Sequence, residues 1–299
     1  MQVNLFGNFQ IHTNTNAELE LRPTAARLFA FLLLHRHTTL LREVVAEIFW
    51  QHSELDRARK SLNTALWQLR QALSQADNRQ TMVIEATPEQ IRINQGAKLW
   101  LDVASFEDKA KEGLAAAKES LSSAQLGALE AAVALYQGDL LNNFYDPWVL
   151  QERERLRLIY LRCLVRLMGH HHRQQNLVTS IDYGRRILSV EPWREDIHRH
   201  LMTLYAENGR RAEAIAQYQL CRQVLERELA VSPLAETEAL YRQLLTNPAA
   251  AAFNRPAAGP TLPEATAQLQ AAIQTMKEAQ RSLDQAVALV ERLSRSGPA

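Results

Sequence analysis

The stretch DRARKSLNTALWQLRQAL, residues 56–73, begins with basic residues and carries an apolar stripe to its end. A helix turns by about 100° per residue, so it places the leucines of this stretch within one narrow sector, with the alanines beside them. These residues are Leu62, Leu66, Leu69, Leu73, Ala58 and Ala65. The pattern predicts a helix that buries this face against the preceding part of the chain.

The opposite side of the same helix is polar and basic. It carries Arg57, Lys60, Thr64, Trp67 and Gln71, flanked by Arg59, Asn63 and Arg70. Four of these eight residues are Lys or Arg, and no acidic residue occurs between positions 57 and 73. Such a face is usually only solvated, but an exposed tryptophan usually marks a contact surface. Asn and Thr supply hydrogen-bonding groups for base edges while cations neutralise phosphates, so we favour a helix that reads DNA.

The patterns around this helix predict a winged helix-turn-helix domain over residues 1–97. Apolar residues alternate within the first 22 residues as they do in strands, and helical spacing follows at 23–34 and 41–50. After the basic helix, TMVIEATPEQIRINQ contains two short apolar runs around a Thr-Pro-Glu turn, which is typical of a β-hairpin. Strands, three helices and a hairpin follow one another in the order of a winged helix.

Residues 98–246 are predicted to form an all-α domain of the tetratricopeptide type. Apolar spacing of three and four residues runs through 103–136, 147–170, 176–190, 194–207 and 211–229. A weak repeat aligns Ser180, Ile181 and Gly184 with a second set 34 residues later, which is the period of tetratricopeptide helix pairs. The second set is Ala214, Ile215 and Tyr218. The expected fold is therefore mainly α, with an α+β winged helix first and helical hairpins after it.

The last part of the chain divides into a linker and a helix. Residues 247–263 contain four prolines and many alanines, a composition typical of a semi-rigid linker. Residues 264–295 are predicted to form an amphipathic or coiled-coil helix of about three heptads, with a polar Gln280 in the seam. Its apolar positions are Leu269, Ile273, Met276, Leu283, Val287 and Val290. Two interpretations stay open: a seam that forms a homodimer, and a helix that folds back on its own domain.

Composition excludes several classes of protein. The chain has 299 residues, 34 Lys plus Arg against 33 Asp plus Glu, and a net charge of +1, so total charge neither requires nor excludes a nucleic acid. Two isolated cysteines favour a reducing cytoplasm. The longest apolar run, at 28–34, is much shorter than the ~20 residues that cross a bilayer. We expect a cytoplasmic protein without a membrane segment.

Catalytic and metal-binding patterns are weak. His170, His171 and His172 are adjacent on a predicted helix and point in different directions, so a helix end explains them better than a metal site. Asp102 and Asp139 are interpreted as helix caps. The chain contains no phosphate loop of the GxxxxGK type and no nucleophile with a matched base. We expect no enzymatic activity, no cofactor and no metal.

Several separated motifs, in the right order, resemble a known family across roughly residues 1–245. RPTAARLFAFLLLH, LLREVVAEIFW and the basic helix look like the OmpR-type winged helix of bacterial transcriptional activators. LWLDVASFE, ALYQGDLLNNFYDPWVLQERERLRLIYLRCL and EPWREDIHRHLMTLYAENGRRAEAIAQYQ are similar to the bacterial transcriptional activator domain. The resemblance implies a transcription regulator of the kind represented by the antibiotic regulatory proteins.

The same resemblance implies how such a protein would bind double-stranded DNA. The third helix would enter the major groove, and the wing would touch the adjacent backbone or the minor groove. The corresponding positions are Arg59, Lys60, Asn63, Thr64, Trp67 and Arg70, with Arg92 in the wing. The wing departs from the family pattern, which usually has arginine and a Gly-Tyr pair near the tip and return strand, where this chain reads IEATPEQIRIN. Because Glu85 and Glu89 would repel phosphates, we expect a weaker wing anchor. The stretch QHSELD, residues 51–56, corresponds to a loop that touches RNA polymerase in related activators.

Two further expectations concern partners. The aromatic residues Tyr145, Trp148 and Trp193 stand beside prolines at helix starts and are expected to pack between helical hairpins. A cleft lined by them could hold a peptide or a small-molecule effector. An alternative to DNA binding is a helical scaffold whose winged helix binds a protein partner.

Overall fold

The computed structural model describes residues 1–76, 82–115 and 121–246. The linker predicted at 247–263 and the helix predicted at 264–295 lie outside the described residues. The strands are β1 (Gln2–Asn4), β2 (Gln10–His12), β3 (Leu40–Leu41), β4 (Ile84–Ala86), β5 (Gln90–Ile93) and β6 (Trp100–Leu101). The helices are α1 (Pro23–Leu34), α2 (Arg42–Trp50), α3 (Leu55–Ala76), α4 (Asp102–Leu114), α5 (Ser123–Leu135), α6 (Pro147–Arg173), α7 (Leu177–Val190), α8 (Glu195–Glu207), α9 (Arg211–Leu229) and α10 (Ala235–Thr246).

Two small sheets frame the winged helix. In the first, β1 pairs antiparallel with β2, and Val3 lies opposite Ile11. The strand β6 joins the other edge of β1 in parallel, so the segment that leads into α4 returns to the N-terminal sheet. In the second sheet, β5 lies between β3 and β4 and forms the wing with them. The predicted alternation in the first 22 residues yields two strands, and the later apolar run forms only the bridge from His12 to Glu18.

The helix α3 packs as its leucine spacing predicts. Leu62, Leu66, Leu69 and Leu73 are all buried, as is most of α1, which contributes Phe29 to the same core. Proline fits the first turn of a helix because its missing N–H has no partner there, and Pro23 opens α1 in this way. The predicted order of strands, three helices and hairpin is confirmed.

The helical domain begins with a hairpin that the spacing does not predict. The prediction of helical structure throughout 103–136 was wrong, because α4 ends at Leu114 and α5 begins at Ser123. Ser122 caps α5 by accepting a hydrogen bond from the backbone of Gln125, whose side chain accepts one in return from the backbone of Ser122. The two helices pack closely because Gly113 has no side chain to separate them from one another.

The helices α7 to α10 form two pairs that match the period of 34 residues. Gly184 in the first pair lies so close to Leu201 that an added Cβ would stand 2.7 Å from Leu201 Cδ2. At the equivalent position of the second pair, Tyr218 fills the gap and stacks on Tyr241 with ring centroids 3.9 Å apart. The repeat is imperfect in sequence because the two pairs pack with residues of different size at the same position.

The winged helix and the helical domain share one continuous hydrophobic core. The buried carboxylate of Asp102, the first residue of α4, accepts hydrogen bonds from the backbone N–H groups of Leu5 and Phe6, each at 2.8 Å. An ion pair of 2.6 Å joins Arg36 after α1 to Glu107 of α4. The two parts therefore form one packed unit, in which α4 contacts β1 and is paired with the turn after α1.

The prediction that Tyr145, Trp148 and Trp193 pack between helical hairpins was wrong. Trp148 is buried against Phe31 and Phe49 of the winged helix instead of lying between helical hairpins. Tyr145 is 78% exposed and Trp193 is 40% exposed. Asp139 does not cap a helix; its carboxylate accepts a hydrogen bond from the Tyr136 hydroxyl in the turn after α5. No helix among the described residues is long and apolar enough to cross a membrane.

Candidate nucleic-acid interface

One face of α3 is open to solvent along most of its length. Arg57, Lys60, Thr64, Trp67 and Gln71 are all exposed, and they follow one another in steps of three and four residues. At a rise of about 1.5 Å per residue, this stripe extends for roughly 21 Å. Trp67 lies in its second half with 63% of its surface exposed. Because the leucine face holds α3 to the core, the stripe is presented on a fixed support.

The cations of this face differ in how they are paired. Arg57 and Lys60 form no ion pair with another residue in the part of the chain that the structure describes. Arg59 pairs with Glu43 of α2 and lies 3.7 Å from Asp56. No acidic residue occurs between positions 57 and 73 of the sequence, but in the folded protein Glu43 of α2 lies beside α3 and supplies a carboxylate. Such exposed pairs are weak, and a phosphate can compete for the arginine.

The two small polar residues present different groups. The hydroxyl of Thr64 donates to the carbonyl of Lys60 at 3.0 Å, which leaves its lone pairs and its methyl group for outside contacts. The amide oxygen of Asn63 accepts a hydrogen bond from Arg42, the first residue of α2. Asn63 thus already has a partner within the protein, whereas the outward side of Thr64 is free.

Arg70 lies beneath the wing and not on the outward stripe. It is half-buried, and its Nη2 donates to the backbone carbonyl of Ile84 in β4 at 3.4 Å. Its Nε is buried and has no hydrogen-bond partner among the residues that the structure describes. The pKa of Arg42 is lowered by burial and, to a smaller extent, by the positive charge of the nearby Arg70. In this structure Arg70 connects α3 to the wing.

The wing offers one cation, and that cation is paired. Arg92 in β5 lies opposite Glu85 in β4 and donates to its carboxylate at 2.7 Å. The turn between the strands is closed by Thr87, whose hydroxyl accepts from the backbone of Gln90 at 3.1 Å. Glu89 stands exposed at this turn. The wing therefore presents a neutral or negative surface to a polyanion, as its sequence suggests.

A cleft of about 880 Å³ separates the first half of α3 from the wing. Its lining includes Arg42, Arg59, Asn63 and the wing turn at Thr87. Sequence reasoning missed Arg42, because an arginine that begins a helix after two leucines has no distinctive spacing. A smaller groove of about 320 Å³ lies beside Trp67 at the start of α1.

The loop between α2 and α3 is also open to solvent. Gln51, His52 and Glu54 are exposed, and Leu55, which follows them, is 64% exposed. Ile48, in the second half of α2, also exposes its apolar side chain. The loop is therefore accessible to a partner beside α3. Its contact with RNA polymerase stays a prediction.

The histidines of the helical domain lie in the last turn of α6 and in α8. His170 to His172 fall in the last turn of α6, as predicted. His172 contacts Glu207 at 2.8 Å and His200 at 3.0 Å. Among the described residues, no group of three or more His, Cys, Asp or Glu is arranged to hold a metal ion.

Comparison with known proteins agrees with this architecture. Residues 101–245 match the family described as the bacterial transcriptional activator domain. The transcriptional regulatory protein MoaR1 of Mycobacterium tuberculosis is 25% identical over 256 residues, which cover 82% of this chain and 79% of MoaR1. The regulatory protein AfsR of Streptomyces griseus is 27% identical over 229 residues, which cover 75% of this chain but only 22% of AfsR.

A solved structure shows the same fold. Mycobacterium tuberculosis EmbR, determined in complex with a low-affinity phosphopeptide, superposes with a TM-score of 0.67 at 19% identity, over 87% of this chain and 69% of EmbR. The predicted mainly α fold, with a winged helix before a helical domain, is confirmed. Residues 101–245 thus match a bacterial transcriptional activator domain, and the chain is similar over most of its length to proteins described as transcriptional regulators.

Proposed function

We propose that this regulator is a transcription activator that binds DNA sequence-specifically and reads the major groove with α3. The observation that supports this function is the exposed stripe of α3, in which two cations without an ion pair among the described residues precede polar and aromatic side chains on a firmly packed helix. A helix with its side chains is about 10–12 Å wide, which suits a major groove of about 12 Å.

Each side chain of the interface has a role in this proposal. Arg57 and Lys60 neutralise phosphates, because neither is paired with a carboxylate among the described residues. Thr64 and Asn63 face base edges, and Trp67 contacts sugars or a thymine methyl group.

The remaining arginines act less directly. Arg59 and Arg92 reach phosphates by leaving Glu43 and Glu85, respectively, which reduces the affinity that each can add. Arg70 supports the wing from below. In this proposal the wing contributes little charge, and α3 provides most of the contact with DNA.

Further parts of the proposal concern assembly. Residues 1–97 act as the DNA-binding domain and 98–246 as the helical domain. The helix of 264–295, joined by the linker 247–263, pairs two copies into a homodimer on repeated half-sites. The loop at 51–56 contacts RNA polymerase in the cytoplasm. A peptide partner of the helical domain is proposed by analogy with EmbR, whose structure contains a phosphopeptide.

The experiment is a titration of the full-length protein with sheared genomic DNA over a series of salt concentrations. We expect affinity to fall steeply with salt, and we expect Lys60→Ala to reduce the salt slope by about one. The matched control is Lys111→Ala, an exposed lysine of α4 in the helical domain, which should leave the slope unchanged. Absent or salt-independent binding would favour the alternative, a scaffold whose winged helix binds a protein.

A further inference from the structure

Arg42 connects the three elements that surround the cleft beside α3. Its backbone N–H donates to the carbonyl of Glu89 at 2.9 Å, which holds the start of α2 to the wing. Its Nη1 donates to the carbonyl of Thr87 in the wing turn at 3.1 Å. Its Nη2 donates to the amide oxygen of Asn63 on α3. One side chain therefore sets the position of the wing turn relative to the outward face of α3.

The contact decides which way the Asn63 amide points. A guanidinium group has five N–H donors and no acceptor, so the atom of Asn63 that faces Arg42 must be the oxygen. The amide nitrogen of Asn63 donates to no other described residue and stays available toward solvent. A positive charge next to the oxygen also polarises the amide and strengthens its N–H groups as donors.

This orientation matters for base recognition. An unrestrained asparagine reads adenine with both ends of its amide, by donating to N7 and accepting from the N6 amino group. The Asn63 oxygen keeps a second lone pair, but the Arg42 guanidinium beside it narrows the approach of the adenine amino group, and its positive charge repels that group's hydrogens. Guanine instead presents two acceptors, N7 and O6, in the major groove, and both suit an amide whose outward group is its NH2 donor.

We infer that Arg42 is a specificity-determining residue, which makes Asn63 a donor toward DNA and so favours guanine over adenine at the base that Asn63 faces. This inference rests on the proposed function. Arg42 acts here as a positioning residue, through Asn63 and not by touching the base.

The experiment begins with selection of bound sites from random DNA by the full-length protein, which gives the preferred site. Affinities are then measured for this site and for each single-base variant of it. For the wild type, one position should prefer guanine over adenine by about tenfold, the size expected for one well-formed base contact. Asn63→Ala should abolish the preference at that position and leave the preferences at the other positions in place.

Arg42→Ala frees the amide of Asn63, so the same position should lose its guanine preference or change to adenine. In the Asn63→Ala background the Arg42→Ala change should have no further effect on that preference, because the residue acts through Asn63. Arg42→Lys is the second variant. It keeps the positive charge, so the test remains valid if Arg42→Ala fails to fold. A lysine cannot bridge Thr87 and Asn63 at once, so the guanine preference should fall here too.

Two results would overturn the inference. One is an unchanged guanine preference in both Arg42 variants. The other is a uniform loss of affinity for all bases, with a salt slope lowered by about one, which would make Arg42 a direct phosphate contact. Failure of the proposed function is seen separately, because it would leave the wild type itself without salt-dependent DNA binding.

Discussion

Trp148 of α6 packs against Phe31 of α1, with ring centroids 5.2 Å apart and ring planes at 77° to one another. This edge-to-face contact lies where the helical domain meets the winged helix, and Phe49 of α2 completes the cluster. The position of α3 is thus linked to the helical domain through the helices on which α3 packs.

Removal of this ring tests how far the two parts depend on each other. Trp148→Ala should destabilise the protein by ~3–5 kcal/mol, because a large buried aromatic leaves a cavity. Denaturant unfolding followed by far-ultraviolet circular dichroism should still show one transition, shifted to lower denaturant. Tyr145→Ala, at an aromatic residue that is 78% exposed, should change stability by only ~0.5 kcal/mol or less. Two separate transitions in the wild type would contradict the shared core.

The close approach of α7 and α8 can be tested with a single methyl group. Gly184→Ala places a Cβ about 2.7 Å from Leu201 Cδ2 and 3.2 Å from Met168 Sδ, so side chains must shift within a packed core. We expect a loss of ~1–3 kcal/mol in the free energy of unfolding. The matched control is Gly127→Ala in α5, where no atom lies within 4 Å of the new Cβ. That change should be neutral or stabilise the helix by up to ~1 kcal/mol, and equal effects at both sites would argue against close packing at Gly184.

A buried histidine should make the stability of the helical domain depend on pH. His198 is 1% exposed, and its ring nitrogens contact the carbonyl of Pro192 at 2.8 Å and the amide of Gln217 at 2.6 Å. Burial lowers the pKa of His198, against smaller opposing effects of these hydrogen bonds and of Glu195 and Asp196. With the folded pKa below the unfolded value of about 6.5, the stability that His198 contributes is present above pH ~6.5 and is lost as pH falls.

The corresponding measurement compares unfolding by urea at several pH values between 7 and 5. The wild type should lose stability as pH falls, and His198→Asn should show a shallower dependence because it removes one titrating group. Burial lowers the pKa of His200 as well, so part of the dependence should remain. Parallel curves for the two proteins would show that His198 takes no part.

Features that depend on spacing within one helix could be predicted from the sequence, whereas contacts between different helices could not. Both faces of α3 were predictable, because the positions from Leu62 to Leu73 repeat within one helix. The pairing of Arg59 with Glu43, and the contact between Arg42 and Asn63, join residues 16 and 21 positions apart in different helices. Periodicity carries no information on such contacts. For the same reason the sequence could not place Trp148 against Phe31, since that packing depends on how the winged helix meets α6.

The pair formed by Arg59 and Glu43 leads to a prediction about DNA affinity. If Arg59 must leave this carboxylate to reach a phosphate, Glu43→Gln should bind DNA several-fold more tightly, with a salt slope steeper by about one. Fluorescence anisotropy with the selected site measures both quantities. Glu47→Gln is the matched control, since Glu47 is an exposed glutamate of the same helix that forms no ion pair among the described residues. It removes the same charge from the surface, so it reports the general electrostatic gain alone. A gain of equal size in both variants would mean that Arg59 does not exchange Glu43 for a phosphate, whereas a gain confined to Glu43→Gln would place Arg59 at the DNA backbone.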